Sequence, residues 1–143
     1  MTLIDANVLL YAYHPQAEQH KRCRAWLEGA FSGPTPVGLA WMTIQAFIRI
    51  STHPRVFEQP LSTDEAAAIV SGWLELPSLV LVEAGDRHWA IFRKLLREGQ
   101  VVGPLVTDAA LAALALEHGA ALCTTDRDFT RFPGLRLISP LAA

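Results

Sequence analysis

Short apolar runs alternate with longer helical patterns along this chain, and no other feature of the sequence constrains the fold as strongly. The runs are rich in Leu, Ile and Val, which is typical of strands in a parallel sheet, and we expect the run at 79–82 to be a buried strand. The predicted strands are residues 2–4, 37–40, 79–82, 121–124 and 135–138.

Between the predicted strands, apolar residues recur at the spacing of one helix face. The segment Ser62-Thr-Asp-Glu65 is a capping box, which marks the start of a helix, and Gly99 follows the end of another helix. The predicted helices are residues 16–31, 41–51, 62–74, 86–97 and 107–118. Strands that alternate with helices predict an α/β fold, with a mostly parallel sheet and helices on both of its faces.

Length and charge limit the kind of protein that the chain can be. Its 143 residues are enough for a single domain, residues 1–143, with one core. The net charge of −2 argues against a protein coated in positive charge for nonspecific nucleic-acid binding, but it allows a local basic rim. We expect no membrane segment and no signal peptide, and therefore a cytoplasmic protein.

Aromatic and thiol side chains fit the core in this sequence. Trp26, Trp73 and Trp89 lie on predicted helices at apolar spacing, and we expect packing rather than stacking on nucleic-acid bases. Cys23 and Cys123 lack the spacing of a metal site, and we expect both to be buried thiols.

Three aspartates mark places where predicted elements end or begin. Asp5 follows the first strand, Asp126 follows the fourth, and Asp108 starts a helix rich in Ala and Leu. The carboxyl ends of parallel strands meet at one sheet edge, where ligands bind. A carboxylate among apolar neighbours is costly unless a cation or hydrogen bonds compensate its charge. The sequence therefore predicts an acidic pocket that binds Mg²⁺ or Mn²⁺. The expected substrate of such a site is a phosphodiester or phosphate ester.

Each aspartate also has a local structural explanation. Asp5 can cap a following helix, Asp108 can interact with its helix dipole, and Asp126 can be a turn residue. These explanations do not account for all three falling at one sheet edge. Asn7 and Thr125 are candidates for side chains that orient the carboxylates, although local turn or cap bonding explains them equally well.

Five segments resemble known motifs. Leu3-Ile-Asp-Ala-Asn-Val-Leu-Leu10, Val106-Thr-Asp-Ala-Ala-Leu-Ala-Ala113 and Thr124-Thr-Asp-Arg-Asp-Phe129 resemble PIN domains. Arg49-Ile-Ser-Thr-His-Pro-Arg-Val-Phe57 and Phe132-Pro-Gly-Leu135 are similar to a subgroup of VapC toxins, from bacterial toxin–antitoxin pairs, that is common in actinobacteria. The resemblance covers nearly the whole chain. It implies a three-layer α/β/α sandwich and a toxin that hydrolyses RNA phosphodiester bonds as a metal-dependent endoribonuclease.

The same resemblance assigns roles to acidic residues. It implies that the three aspartates are catalytic metal ligands and that Asp128 supports them. A second family acid is normally a glutamate on the helix after the second strand, where this chain has Gln45 or Ala46. The site is therefore expected to have one carboxylate fewer, and Gln45 can offer only a neutral oxygen.

The resemblance also implies partners. These are an RNA substrate, a VapB-type antitoxin whose C-terminal segment lies across the acidic groove, and a second copy of the chain in a homodimer. We expect Arg49, Arg55 and Arg127, from two basic clusters, to bind the RNA backbone, although such clusters are also typical of a solvated surface.

Two other functions compete with the nuclease. Haloacid-dehalogenase-like phosphatases also begin with a strand and an aspartate, but they need a second acid two residues later, where this chain has Asn7. A PIN-like binding module that has lost its activity is the stronger alternative, because the glutamate expected near Gln45 is missing.

Overall fold

The computed structural model describes residues 1–142, so the last residue of the predicted domain lies outside the described part. Five parallel strands form one sheet in the order β3-β2-β1-β4-β5. The strands are β1 Thr2–Ile4, β2 Val37–Leu39, β3 Leu79–Leu81, β4 Ala121–Cys123 and β5 Leu137–Ile138. Each predicted strand is present, and the prediction of a mostly parallel sheet is confirmed.

Six α-helices and one 3-10 helix connect the strands of the described chain. They are α1 Ala6–Ala12, α2 His20–Ser32, α3 Trp41–Ser51, α4 Thr63–Leu74, α5 His88–Glu98, α6 Leu105–Glu117 and the 3-10 helix Arg127–Arg131. The capping box of α4 is confirmed, with Ser62 and Glu65 bonded in both directions. The helix predicted over 16–31 begins only at His20, because residues 13–19 form turns.

Helices cover both faces of the sheet, which confirms the three-layer α/β/α sandwich. Successive residues of β1 point to opposite faces. Ile4 packs in one core cluster with Val8 and Leu27, whereas Leu3 packs in a second cluster with Leu95 and the Ala-rich face of α6. The sheet therefore separates a layer of α1–α4 from a layer of α5 and α6.

Two predictions about burial are wrong. β3 is an edge strand, and Val80 and Leu81 are 41% and 38% exposed. Its apolar sequence predicted a buried strand, but the edge position leaves these two side chains partly exposed. Trp89 on α5 is 62% exposed. Among the aromatic rings of residues 1–142, its ring pairs with that of Phe92 alone, in an edge-to-face arrangement. Trp73, in contrast, is 3% exposed, as predicted.

The C-terminus of α5 differs from the expected glycine cap. Gly99 ends the helix as predicted, but its φ is −82°, and the left-handed residue is Gln100 with φ of 51°. A Cβ at position 99 would lie 2.9 Å from Phe132 Cε1 and 2.9 Å from the Leu95 carbonyl oxygen. Close packing rather than backbone freedom therefore requires glycine at this position.

Candidate metal centre

The acidic residues lie at the point where the strand order of the sheet reverses. β2 and β3 lie on one side of β1, and β4 and β5 lie on the other, so β1 and β4 meet at the switch point. The Asp5 N–H donates to the Cys123 carbonyl at 2.9 Å, directly after the two strands end. Open parallel sheets bind ligands beyond the carboxyl ends of strands at such a point.

Asp5 is fixed at this edge by two hydrogen bonds. One carboxylate oxygen accepts from the Ala6 N–H at 2.8 Å, and the other accepts from Thr124 Oγ1 at 2.7 Å. Asp5 is the N-cap residue of α1, so the predicted capping role and a place at the strand edge both apply. Burial raises the pKa of Asp5, and the bonds from Thr124 and Ala6 oppose that rise.

Thr124 links Asp5, Asp126 and Asn7, although it was not among the predicted site residues. Its hydroxyl donates to Asp5 and accepts from the Asp126 N–H at 3.0 Å and from the Asn7 side-chain amide at 3.5 Å. The Thr125 N–H donates to Asn7 Oδ1 at 3.3 Å, so the predicted residue Thr125 contributes its backbone. Thr124 is 5% exposed, and this burial of a polar side chain identifies it in the structure but cannot be read from the sequence.

Three carboxylates come together beside this network. One oxygen each of Asp108, Asp126 and Asp128 lies within 4.8 Å of the others. Asp108 occupies the first turn of α6, and Asp126 caps the 3-10 helix by accepting from the Asp128 N–H at 2.9 Å. Within residues 1–142, this group of oxygens includes Asp128, which was expected only to support the site, and does not include Asp5.

Electrostatics indicate that the cluster is suited to a cation. Burial, together with the negative charges of Asp126, Asp5 and Asp128, raises the pKa of Asp108 to about 6, and the charge of Arg131 opposes this rise. The crowded carboxylates therefore repel one another when no positive ion lies between them. Hard carboxylate oxygens are the ligands that Mg²⁺ and Mn²⁺ prefer, so the residues present fit such an ion.

The position of the missing glutamate carries no replacement carboxylate on α3. Gln45 is exposed and Ala46 is half-buried. Among the hydrogen bonds within residues 1–142, none joins the Gln45 side chain to an acidic residue. With Asp128 in the cluster, this edge carries four carboxylates, those of Asp5, Asp108, Asp126 and Asp128.

The three predicted RNA-binding arginines lie on different elements of the chain. Arg127 follows Asp126 directly, is exposed, and lines a cavity of about 500 Å³ that also includes Asp126 and Thr124. Arg49 lies in the last turn of α3, and Arg55 lies in the loop after it, both exposed. Of these three arginines, only Arg127 is adjacent in sequence to a residue of the acidic cluster, Asp126.

This parallel sandwich, with carboxylates at its switch point, has the organisation of a PIN domain. The family model described as PIN domain matches residues 2–135, and the chain belongs to that family. Within the family it belongs with the VapC proteins. It is 44% identical to Ribonuclease VapC37 and 39% identical to Ribonuclease VapC33, both of Mycobacterium tuberculosis, with 99% of each chain covered in both comparisons.

Solved structures share the fold at lower sequence identity. VapBC-1 from nontypeable Haemophilus influenzae has a TM-score of 0.70 at 15% identity and covers 99% of this chain and 98% of its own. DNA-bound VapBC from Salmonella typhimurium has a TM-score of 0.68 at 21% identity, with 97% of each chain covered. VapC20 of Mycobacterium tuberculosis, a toxin that cleaves the sarcin–ricin loop, has a TM-score of 0.65 at 17% identity, covering 95% of this chain and 99% of its own.

Proposed function

We propose that this chain is the toxin of a type II toxin–antitoxin pair and acts in the cytoplasm as a Mg²⁺-dependent endoribonuclease. The carboxylate cluster of Asp108, Asp126 and Asp128 carries the proposal, because it places hard ligands at the sheet edge where substrates bind. The full-length similarity to proteins called VapC ribonucleases supports RNA as the substrate. None of the helices in the described part of the chain has the length and apolar character that a membrane span requires.

Each residue of the acidic site has a proposed role in the reaction. Asp108, Asp126 and Asp128 would hold the ion, and Asp5 would complete the acidic edge from the end of β1. When bound, Mg²⁺ or Mn²⁺ activates a water molecule and neutralises charge on a phosphoryl group. Thr124 fixes the orientation of the Asp5 carboxylate, which prevents it from turning away from the site.

The cavity beside Asp126 supports binding of a nucleotide next to the scissile phosphate. Its volume of about 500 Å³ is lined by hydroxyl side chains, including Thr125, Thr130 and Ser139, and by Leu137. Arg127 at this cavity can bind the RNA backbone as a point of positive charge beside an acidic site. Arg49 and Arg55 are proposed to contact more distant phosphates.

Partners are proposed from similarity. The related structures from Haemophilus influenzae and Salmonella typhimurium are VapBC complexes, which supports a VapB-type antitoxin for this chain. A homodimer is proposed with it, as the family resemblance implies. Both buried cysteines, Cys23 and Cys123, are free thiols, which suits the reducing cytoplasm.

Expression without an antitoxin tests the proposed activity. The wild-type chain is expected to stop growth and degrade cellular RNA, whereas Asp5→Asn and Asp108→Asn are not, because each removes a negative oxygen from the site. Asp86→Asn is the matched control, since Asp86 is an exposed loop residue with the same charge. Equal behaviour of wild type and Asp108→Asn would overturn the nuclease.

An inactive binding module remains the second candidate, favoured by the absence of a carboxylate at Gln45 and Ala46. Titration of the purified chain with Mn²⁺, followed by an RNA cleavage assay, separates the two. Binding that depends on Asp108 together with cleavage supports the enzyme. Binding without cleavage of any RNA in a total-RNA mixture supports the module.

A further inference from the structure

Arg131 connects two segments of the chain through one guanidinium group. It is the last residue of the 3-10 helix, and its Nε donates to the Asp128 carbonyl at 3.2 Å. Its Nη1 donates to the Gly99 carbonyl at 3.0 Å, a contact between residues 32 positions apart. The first bond holds the side chain against its own helix, and the second reaches the C-terminus of α5.

Gly99 is the point where the 3-10 helix region packs against α5. The carbonyl of Gly99 accepts from Arg131, and its Cα faces the ring of Phe132, which leaves no room for a Cβ. Phe132 is 3% exposed. The next residue after Gly99 is Gln100, with a left-handed φ of 51°, a conformation that persists for a non-glycine residue only where its surroundings hold it.

The two connected segments carry the clustered carboxylates. From Gly99 the chain runs through residues 100–104 into α6, whose first turn contains Asp108. The 3-10 helix contains Asp128 and follows Asp126. While burial and the neighbouring aspartates raise the pKa of Asp108, the charge of Arg131 lowers it, so Arg131 also lies close to the cluster.

We propose that Arg131 is a positioning residue of the acidic site, and that its bond to Gly99 sets the distance between Asp108 on α6 and Asp126 and Asp128 beside the 3-10 helix. This inference rests on the proposed metal-dependent function. A fork-shaped guanidinium can hold two carbonyls at once, whereas a lysine ammonium is a point charge on a flexible stem.

Positioning and simple charge have opposite consequences for metal affinity. If Arg131 acted only through its charge, its removal would strengthen the binding of a cation to the nearby carboxylates. If it positions the segments, its removal weakens binding, because the three ligand oxygens no longer meet. The sign of the change therefore distinguishes the two roles.

Calorimetric titration of the full chain with Mn²⁺ tests the proposal. Arg131→Gln, which removes the charge and the fork, and Arg131→Lys, which keeps the charge, are each expected to weaken binding about tenfold. Arg93→Gln is the matched control, since Arg93 is exposed on α5 and its loss removes the same charge. It is expected to leave the Mn²⁺ affinity unchanged.

Three results would overturn the proposal. Equal or tighter Mn²⁺ binding by Arg131→Gln shows a charge effect, and wild-type affinity in Arg131→Lys shows that the fork is not needed. Should Arg131→Gln fail to fold, Arg131→Lys alone decides. If Mn²⁺ binding by the wild type does not depend on Asp108, the proposed function itself fails. If the wild type and the Arg131 variants bind Mn²⁺ equally well, the positioning role of Arg131 fails but the proposed function does not.

Discussion

The acidic site depends on single hydrogen bonds to a buried threonine. Thr124 satisfies one oxygen of Asp5 and the N–H of Asp126, so one hydroxyl couples the ends of β1 and β4. The carboxylates themselves could be predicted from their positions after apolar runs. Thr124 could not, because in the sequence it is one more residue of the fourth strand, and its partner Asp5 lies more than a hundred residues away.

Replacing Thr124 by valine is expected to destabilise the fold and weaken Mn²⁺ binding. Valine keeps the shape but leaves the Asp5 oxygen and the Asp126 N–H without a partner, which costs about 1–3 kcal/mol. Urea unfolding measures the loss, and Thr124→Ser, which keeps the hydroxyl, is expected to retain most of the stability. An unchanged midpoint in Thr124→Val would contradict this role.

Replacing Asp108 by asparagine is expected to stabilise the metal-free protein at pH 7.5. The folded-state pKa of about 6 lies above the ordinary value of 3.8, so ionised Asp108 destabilises the fold increasingly as the pH rises from 3.8 to 6, and fully above it. Asparagine removes this cost, and we expect a melting temperature about 2–4 °C higher in EDTA.

The gain from Asp108→Asn should disappear below pH 3.8, where the carboxyl is protonated in both folded and unfolded chains. Thermal unfolding at several pH values measures it. Asp86→Asn, at an exposed loop position, serves as the control and should show no gain. A melting temperature equal to that of wild type at pH 7.5 would show that the carboxylates do not repel one another.

At the scale of elements, the capping signal at the start of α4 was predicted correctly, whereas the backbone geometry at the end of α5 was not. The capping box of α4 has the predicted geometry because its two bonds are local. The end of α5 does not follow the expected glycine rule. Gly99 is required by the ring of Phe132, a tertiary neighbour, and Gln100 takes the left-handed conformation instead.

Replacing Gln100 by glycine is therefore expected to stabilise the protein by about 1 kcal/mol, since glycine adopts a positive φ without steric cost. Gly99→Ala, one residue earlier, is expected to destabilise it, because the added Cβ would contact Phe132 and the Leu95 carbonyl. Chemical denaturation measures both changes. The prediction fails if the two variants shift the midpoint in the same direction.

At the scale of the whole molecule, the acidic site is assembled from parts of the chain that are distant in sequence. Asp5 follows β1, Asp108 starts α6, and Asp126 follows β4, and the order of strands brings them to one edge. The carboxylates repel one another at this edge, which destabilises the folded chain, and a bound cation would offset the repulsion. Metal binding should consequently stabilise the fold as a whole.

Adding Mn²⁺ at about 100 times its dissociation constant is expected to stabilise the wild-type chain by about 2.7 kcal/mol. The melting temperature should rise, and EDTA should reverse the rise. Asp126→Asn should gain much less, because it removes one of the three clustered carboxylates. Differential scanning calorimetry measures the shift, and an equal gain in both proteins would place the ion elsewhere.

The sequence by itself determined the strands, the α/β class and the three aspartates at the sheet edge, because apolar periodicity and strand ends are local properties of the chain. Tertiary structure decided that β3 lies at the edge of the sheet, which exposes Val80 and Leu81 despite their apolar pattern. It also left Trp89 on α5 exposed. It also decided that Asp128 joins the carboxylate cluster and that Thr124 organises it. These features depend on contacts between distant segments, which form only when the strands have taken their order.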